Sequence, residues 1–464
     1  MIKYSKKFSG ILNTLAKYTL AALLIVIPLY PKFPLISISG TFVSIRMEDI
    51  LILLSGIVFL LLVFPQIKTF FKNKVFRAIT LFILVGLISL LSAIFITKTI
   101  SIHLGVLHWL RRIEYFIPMF LAFYVAKNKV ASMGFYLKIL LIVLFATFIY
   151  GMGQRYLSWP IVITQNEEYS KGIALRWISG SHINSTFAGH YDLASFLVLI
   201  LPAIIASLFV FKAIKVKLIF LISFFSGLWL LVSSASRISL VSYLMASTIT
   251  LMLIKKTKFV PVIVVVSILF ISFSSNLLDR YQRIFEVSVG KVKNYLINYT
   301  VSDTSVYAQE ENILIPKKVF VSSPTPTPVF EDRSTNIRLN VEWPRAIRAF
   351  LKNPFLGTGY SSITLATDND YLRMFGEVGM LGFVAFALIF VRVTQALVRV
   401  FPFTKSFKKT EIVLLAGFVG ALPGIFLNAV FIDIFEASKF AILFWLMLGI
   451  VLGVADKKIY EQNN

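Results

Sequence analysis

Stretches of about 17–25 mostly apolar residues recur from one end of this sequence to the other, each long enough to cross a bilayer as a helix. A soluble core has no room for so many of them. The 464 residues are 58% hydrophobic and 15% charged, with a mean hydropathy of +0.83. Soluble domains run near 45–50% apolar and about 25% charged. The fold class expected is therefore all-α, a polytopic membrane helix bundle with a large, partly helical external loop. Length and helix breakers place about 12 transmembrane helices, near 14–31, 49–65, 75–97, 112–127, 133–151, 190–211, 216–233, 237–254, 258–275, 376–398, 410–431 and 437–455. The fourth begins among Arg111, Arg112 and Glu114, which crowd its start.

Charge gives the expected orientation. The net charge is +24, and the basic residues gather in short loops such as QIKTFFKNK, FKAIKVK and RVFPFTKSFKK. Loops of this kind mark the cytoplasmic side and its anionic lipid surface, so the basic balance implies a lipid bilayer rather than nucleic acid. With the N-terminus inside, an even number of spans returns the C-terminus inside as well. The N-terminal basic and apolar run lacks a small-x-small cleavage site and reads as a retained first span. There is no cysteine, which removes disulfides, thiolate metal sites and cysteine nucleophiles.

Three parts follow from this layout. Residues 1–275 hold nine spans with an external segment near 152–190, residues 276–375 form the external loop, and residues 376–464 hold the last three spans. Within the loop, the stretch before 300 has amphipathic spacing compatible with an interfacial helix. Residues 300–332 contain SPTPTP and read as an extended, poorly ordered tether. Residues 336–375 are the segment expected to carry the chemistry. In NIRLNVEWPRAIRAFLKN, Pro344 should sit at a helix start or kink the helix, and NPFLGTG should end it.

The candidate site residues lie in three places. Arg237 follows SSAS at the external mouth of two spans. A guanidinium there either snorkels to the interface or binds an oxyanion, for which its fixed fork is well shaped. A second group opens at Arg176 and runs through His182, His190 and Asp192. It is either a polar cap over helix ends or a binding surface, and its spacing matches no metal site. His103 and His108, beside Arg111, Arg112 and Glu114, read as an interfacial segment with ion pairs. The third place is TDNDYLRMFGEVGMLG, with Asp368, Asn369, Tyr371 and Arg373 at the start of a span. Asp370, Arg373 and Glu377 share one helical face and suit structural pairing, and Asp368 suits a helix cap.

In order and spacing these residues resemble the O-antigen ligase and Wzy-type O-antigen polymerase superfamily of bacterial membrane glycosyltransferases. The family pattern R-x-x-x-W, P-x-x-G-x-G, H-N-x-x-L, E-x-G-x-x-G is met by Arg338 or Asn340 with Trp343, then by Pro354, Gly357 and Gly359. Asn369, Leu372, Glu377, Gly379 and Gly382 follow in order. STFAGHYDLASF and SSASRISL resemble two further family segments upstream. One departure stands out: Asp368 occupies the position of the family's motif histidine. An ordinary aspartate, with a pKa near 3.9, is a weak base, so either Asp368 substitutes, or a base such as His190 lies elsewhere, or activity is lost.

The resemblance implies transfer of a glycan from a polyprenyl-diphosphate carrier to a hydroxyl of a glycan or lipid-glycan acceptor, at the outer face of the cytoplasmic membrane. It implies catalytic roles for Asp368 and Arg237. Arg176, His190, Arg338, Arg345, Asn369, Tyr371 and Arg373 would bind substrate, with no metal and no cofactor. A transporter or flippase for anionic or lipid-linked substrates, and a non-catalytic envelope-assembly protein, are the competing expectations.

Overall fold

A computed structural model describes residues 6–32, 34–37, 44–70, 72–161, 175–272, 336–363 and 366–463. The expected interfacial helix before 300 and the tether at 300–332 lie outside these residues. The described chain is almost entirely helical. In the first half come α1 (Lys6–Leu29), α2 (Met47–Val63), α3 (Ile67–Phe70), α4 (Lys74–Phe95), α5 (Ile102–Lys127) and α6 (Met133–Tyr156). Then come α7 (His190–Val210), α8 (Ile214–Ser233), α9 (Arg237–Leu253) and α10 (Val260–Ile271). Later in the chain follow α11 (Trp343–Lys352), α12 (Asp370–Val398), α13 (Phe403–Ser406), α14 (Lys409–Ala429) and α15 (Ser438–Asn463). The one sheet among the described residues is a small hairpin, β1 (Pro34–Ser37) antiparallel to β2 (Ser44–Arg46).

Among the described residues, eight helices are long and apolar enough to cross a membrane: α1, α4, α6, α7, α8, α12, α14 and α15. The other four expected segments fall on α2, α5, α9 and α10. Of these α2, α9 and α10 are shorter, at 17, 17 and 12 residues. Helix α5 starts ten residues before the expected span, at Ile102. It carries Arg111, Arg112 and Glu114 inside the helix, where Arg111 bridges Asp49 at 2.8 Å and Glu114 at 2.9 Å.

The bundle is built around α15, whose apolar length is wholly buried. It lies along α5, while α14 packs on α7 and α9 and α12 packs on α4. Close approach in lipid relies on small residues. A Cβ added at Gly449 would lie 2.3 Å from the Met119 carbonyl oxygen, so α15 meets the α5 backbone directly.

One helix is broken in a way that shapes the site. At Gly379, α12 leaves helical geometry (φ 68°, ψ −171°), about 13 Å along from its start at about 1.5 Å per residue. Backbone freed there must be satisfied by protein, because lipid offers no partners. The NPFLGTG loop provides them. Met380 and Leu381 donate N–H bonds to the carbonyls of Pro354 (2.8 Å) and Phe355 (3.2 Å). In return Thr358 and Gly359 donate to Gly376 (2.9 Å) and Glu377 (2.8 Å). The Ser89 hydroxyl of α4 donates to the carbonyls of Leu356 and Glu377. The loop and the broken helix are so close that a Cβ at Gly379 would sit 2.4 Å from the Phe355 carbonyl oxygen.

Gly379→Ala should therefore destabilise the protein by at least about 1–3 kcal/mol, from the positive φ alone. Its thermal midpoint in detergent should fall. Gly10→Ala, where nothing lies within 4 Å, should leave the midpoint unchanged or slightly raised.

Candidate active site

The start of α12 is held by two carboxylates that exchange backbone hydrogen bonds across the bundle. Asp370, in α12, accepts from the N–H groups of Ile434 (2.8 Å) and Phe435 (3.1 and 3.2 Å) in the α14–α15 loop. Asp433, in that loop, accepts from Thr367 (2.8 Å) and Asn369 (2.9 Å). It also takes the Arg373 guanidinium at 2.8 Å. Charge-assisted bonds of this kind are about twice as strong as neutral ones. Around them Arg373 lies 3.4 Å from Glu377, and Arg112 pairs with Glu436 and reaches within 3.9 Å of Glu377. The Arg373 Nη2 also donates to the Ile363 carbonyl at 3.0 Å.

Asp368 stands just before this clamp, in the left-handed region (φ 49°). The helix is capped one residue later, by Asn369, whose Oδ1 accepts from the Leu372 N–H at 2.9 Å. The expected capping role of Asp368 passes to Asn369 because Asp368 is gripped from outside. Arg338 donates to its Oδ2 through Nε (3.0 Å) and Nη2 (2.8 Å). Tyr191, at the start of α7, lies within electrostatic reach of Arg338. The Tyr191 ring packs on His190 at 4.0 Å, and His190 stacks on His182 at 4.1 Å. Through Tyr191 the segment opening at Arg176 and the segment beginning at 336 come near each other at Arg338.

Arg338 begins a π turn, Arg338–Glu342, in which the Trp343 N–H reaches back to the Arg338 carbonyl. Four residues separate Arg338 from Trp343, one more than in R-x-x-x-W, and a π turn takes up one extra residue. The turn ends at Glu342, within electrostatic reach of Asp368, Arg338, Asp433 and Arg345. Pro344 sits at the start of α11, where its missing N–H costs nothing. Glu342 Oε2, Trp343 Nε1, Arg345 Nη1 and Thr367 Oγ1 are buried atoms with no hydrogen-bond partner among the described residues. Desolvation raises the Asp368 pKa, with Arg338 opposing and Asp433 adding. Glu342 is pushed to about 7, first by desolvation and next by the Asp368 charge.

The structure brings together Arg338, Asp368, Asn369 and Arg373, with His190 linked through Tyr191. Tyr371 donates its hydroxyl to the Phe426 carbonyl at 3.0 Å and ties α12 to α14. Arg345 acts electrostatically on Glu342. Arg176 is exposed, its backbone bridged to Pro160, and none of its described contacts reaches Asp368. Arg237 is the first residue of α9. Five residues on, Ser242 donates to Asn428 Oδ1 at 2.8 Å, which puts Arg237 at the same end of the bundle as the 430–437 loop. Asp192 pairs with Lys32 at 3.5 Å. Sequence reasoning passed over Asp433, Glu436, Glu342 and Lys439. Lys439 is buried at the head of α15 and donates to the carbonyls of Thr186 (2.7 Å) and Pro28 (3.2 Å). The available signal was acidic and basic residues in FIDIFEASK, between two apolar runs.

Residues 218–387, from within α8 to within α12, match the sequence pattern that defines the O-antigen ligase family. The match takes in Arg237, Arg338, Asp368 and the glycines of the broken helix, and supports the O-antigen ligase and polymerase type that the motif order resembles. It supports in turn an O-antigen ligase-like role in assembling cell-envelope polysaccharide, for a multi-pass membrane protein. No curated protein matches the chain.

Asp433→Ala should cost at least about 1–3 kcal/mol, the usual result of leaving a shielded donor without its acceptor, while Arg373 keeps Glu377. Arg373 and the N–H groups of Thr367 and Asn369 would all lose a partner. Thermal unfolding in detergent checks this.

Proposed function

We propose that the cluster around Arg338 and Asp368 transfers a glycan from a polyprenyl-diphosphate carrier, such as undecaprenyl diphosphate, to an acceptor hydroxyl at the external membrane surface. The observation that carries this reading is that Arg345 Nη1 and Trp343 Nε1 are buried without a partner among the described residues, in the segment that also carries Arg338 of the Arg338–Asp368 pair. Displacing a glycan from a diphosphate puts charge on the departing phosphate oxygen. Cations and N–H donors fixed in advance stabilise that charge without reorganising. Arg345 and Arg338 fill this role, with Arg237 reaching from α9 and Arg176 from the neighbouring surface toward the lipid phosphates.

His190 then orients the acceptor, and Asp368 holds Arg338 in place. Asn369, Tyr371 and Arg373 position the site, since each fixes the start of α12 to its neighbours. The carrier's tail lies between apolar helices. The basic loops favour both termini on the cytoplasmic side, with twelve spans when α2, α5, α9 and α10 are counted.

Arg338→Ala should reduce transfer at least about 10²-fold, the usual loss when one oxyanion donor is removed, and Arg237→Ala should do the same. Both proteins should still insert into the membrane. Glycan transfer from purified carrier-linked donor in proteoliposomes measures this, and turnover within threefold of wild type would remove the residue from the site.

A further inference from the structure

Asp368 stands where the resembling family carries a histidine, yet Arg338 already holds it from two nitrogens. A carboxylate so paired is poorly placed to take a proton. The carboxyl beside it is differently situated. Glu342 lies at the end of the π turn, half-buried, with its Oε2 shielded and without a hydrogen-bond partner among the described residues. Trp343 Nε1 and Arg345 Nη1 are likewise buried without a partner among the described residues, and Arg345, three residues on from Glu342, lies on its side of the helix and acts on its charge.

We propose that Glu342 is the general base that deprotonates the acceptor hydroxyl, with Asp368 as the group that holds Arg338 in place. This rests on the transferase reading above. In the step, the acceptor O–H gives its proton to Glu342 Oε2, and its oxygen forms a bond to the anomeric carbon of the donor sugar. The bond from that carbon to the phosphate oxygen breaks. The electron pair stays on the oxygen, and the polyprenyl diphosphate leaves against Arg338 and Arg345.

The groups that act on Glu342 are Asp368 and Asp433, which hold its proton more tightly, and Arg338 and Arg345, which oppose them. With desolvation they leave a carboxyl that titrates near 7, where a base is most effective at neutral pH. The active, ionised form grows as pH rises through 7, so turnover should climb over that range and level off. Stability should run the other way. The folded protein holds this proton to higher pH than the unfolded chain, whose value is near 4.5, so stability falls between those two values. Glu342→Gln removes that fall.

The test uses the full chain in proteoliposomes, with carrier-linked oligosaccharide extracted from the membranes of the producing cell as donor. Binding of undecaprenyl diphosphate is measured separately. Glu342→Gln should lower turnover about 10²–10⁴-fold and abolish the rise through pH 7. It should bind undecaprenyl diphosphate within threefold of wild type and be at least as thermostable at pH 8. Glu342→Asp should recover part of the rate. Turnover of Glu342→Gln within threefold of an active wild type would overturn the role of Glu342 and leave the transferase reading standing. Wild type that binds the donor and transfers nothing would overturn both.

Discussion

The whole cluster at the start of α12 depends on the exchange between Asp370 and Asp433. Each carboxylate takes backbone N–H groups from the segment that carries the other. The start of α12 and the α14–α15 loop therefore cannot move separately. Asp370 is buried and Asp433 largely shielded, so the bonds face little competition from water and the cost of losing one is high. From this fixed point Arg373 and Glu377 extend inward and Arg112 joins them through Glu436. Asp368 projects on the other side toward Arg338.

The broken helix serves the same end. A continuous α12 would leave the NPFLGTG loop no edge to pair with. Gly379 opens the backbone, and the loop closes it again with four N–H bonds. The GxG and ExGxxG motifs are thus one device: the glycines let two backbones approach to contact distance. The result is a rigid floor beneath α11. The π turn above it then fixes the direction in which Arg338, Glu342 and Arg345 point.

Much of this architecture could be read in the sequence, because local patterns encode it. The apolar runs mark helices, Pro344 starts α11, and the Pro and Gly residues after Lys352 end it. What escaped notice depends on partners far apart in the chain. Helix α5 began early because Arg111 and Arg112 find acidic partners, Asp49 and Glu436, that no periodicity reveals. Asp370 was grouped with Arg373 and Glu377 by helical spacing. Only the Arg373–Glu377 pair forms, and Asp370 turns to backbone 64 and 65 residues away. Asp368 looked like a cap by position, and Arg338, 30 residues earlier, claims it. Glu342 went unremarked because a lone acid in an amphipathic segment carries no signal until its surroundings are known.

The central claim is that the unpartnered donors on and beside the π turn receive the phosphates of a lipid carrier. A structure of the protein in nanodiscs with undecaprenyl diphosphate bound tests this most directly. The account predicts diphosphate density in hydrogen-bond contact with Arg345 and Trp343, next to the Arg338–Asp368 pair, with the lipid tail running out between helices. Density at any other place on the protein, with the Arg345 and Trp343 donors still untouched, would contradict it.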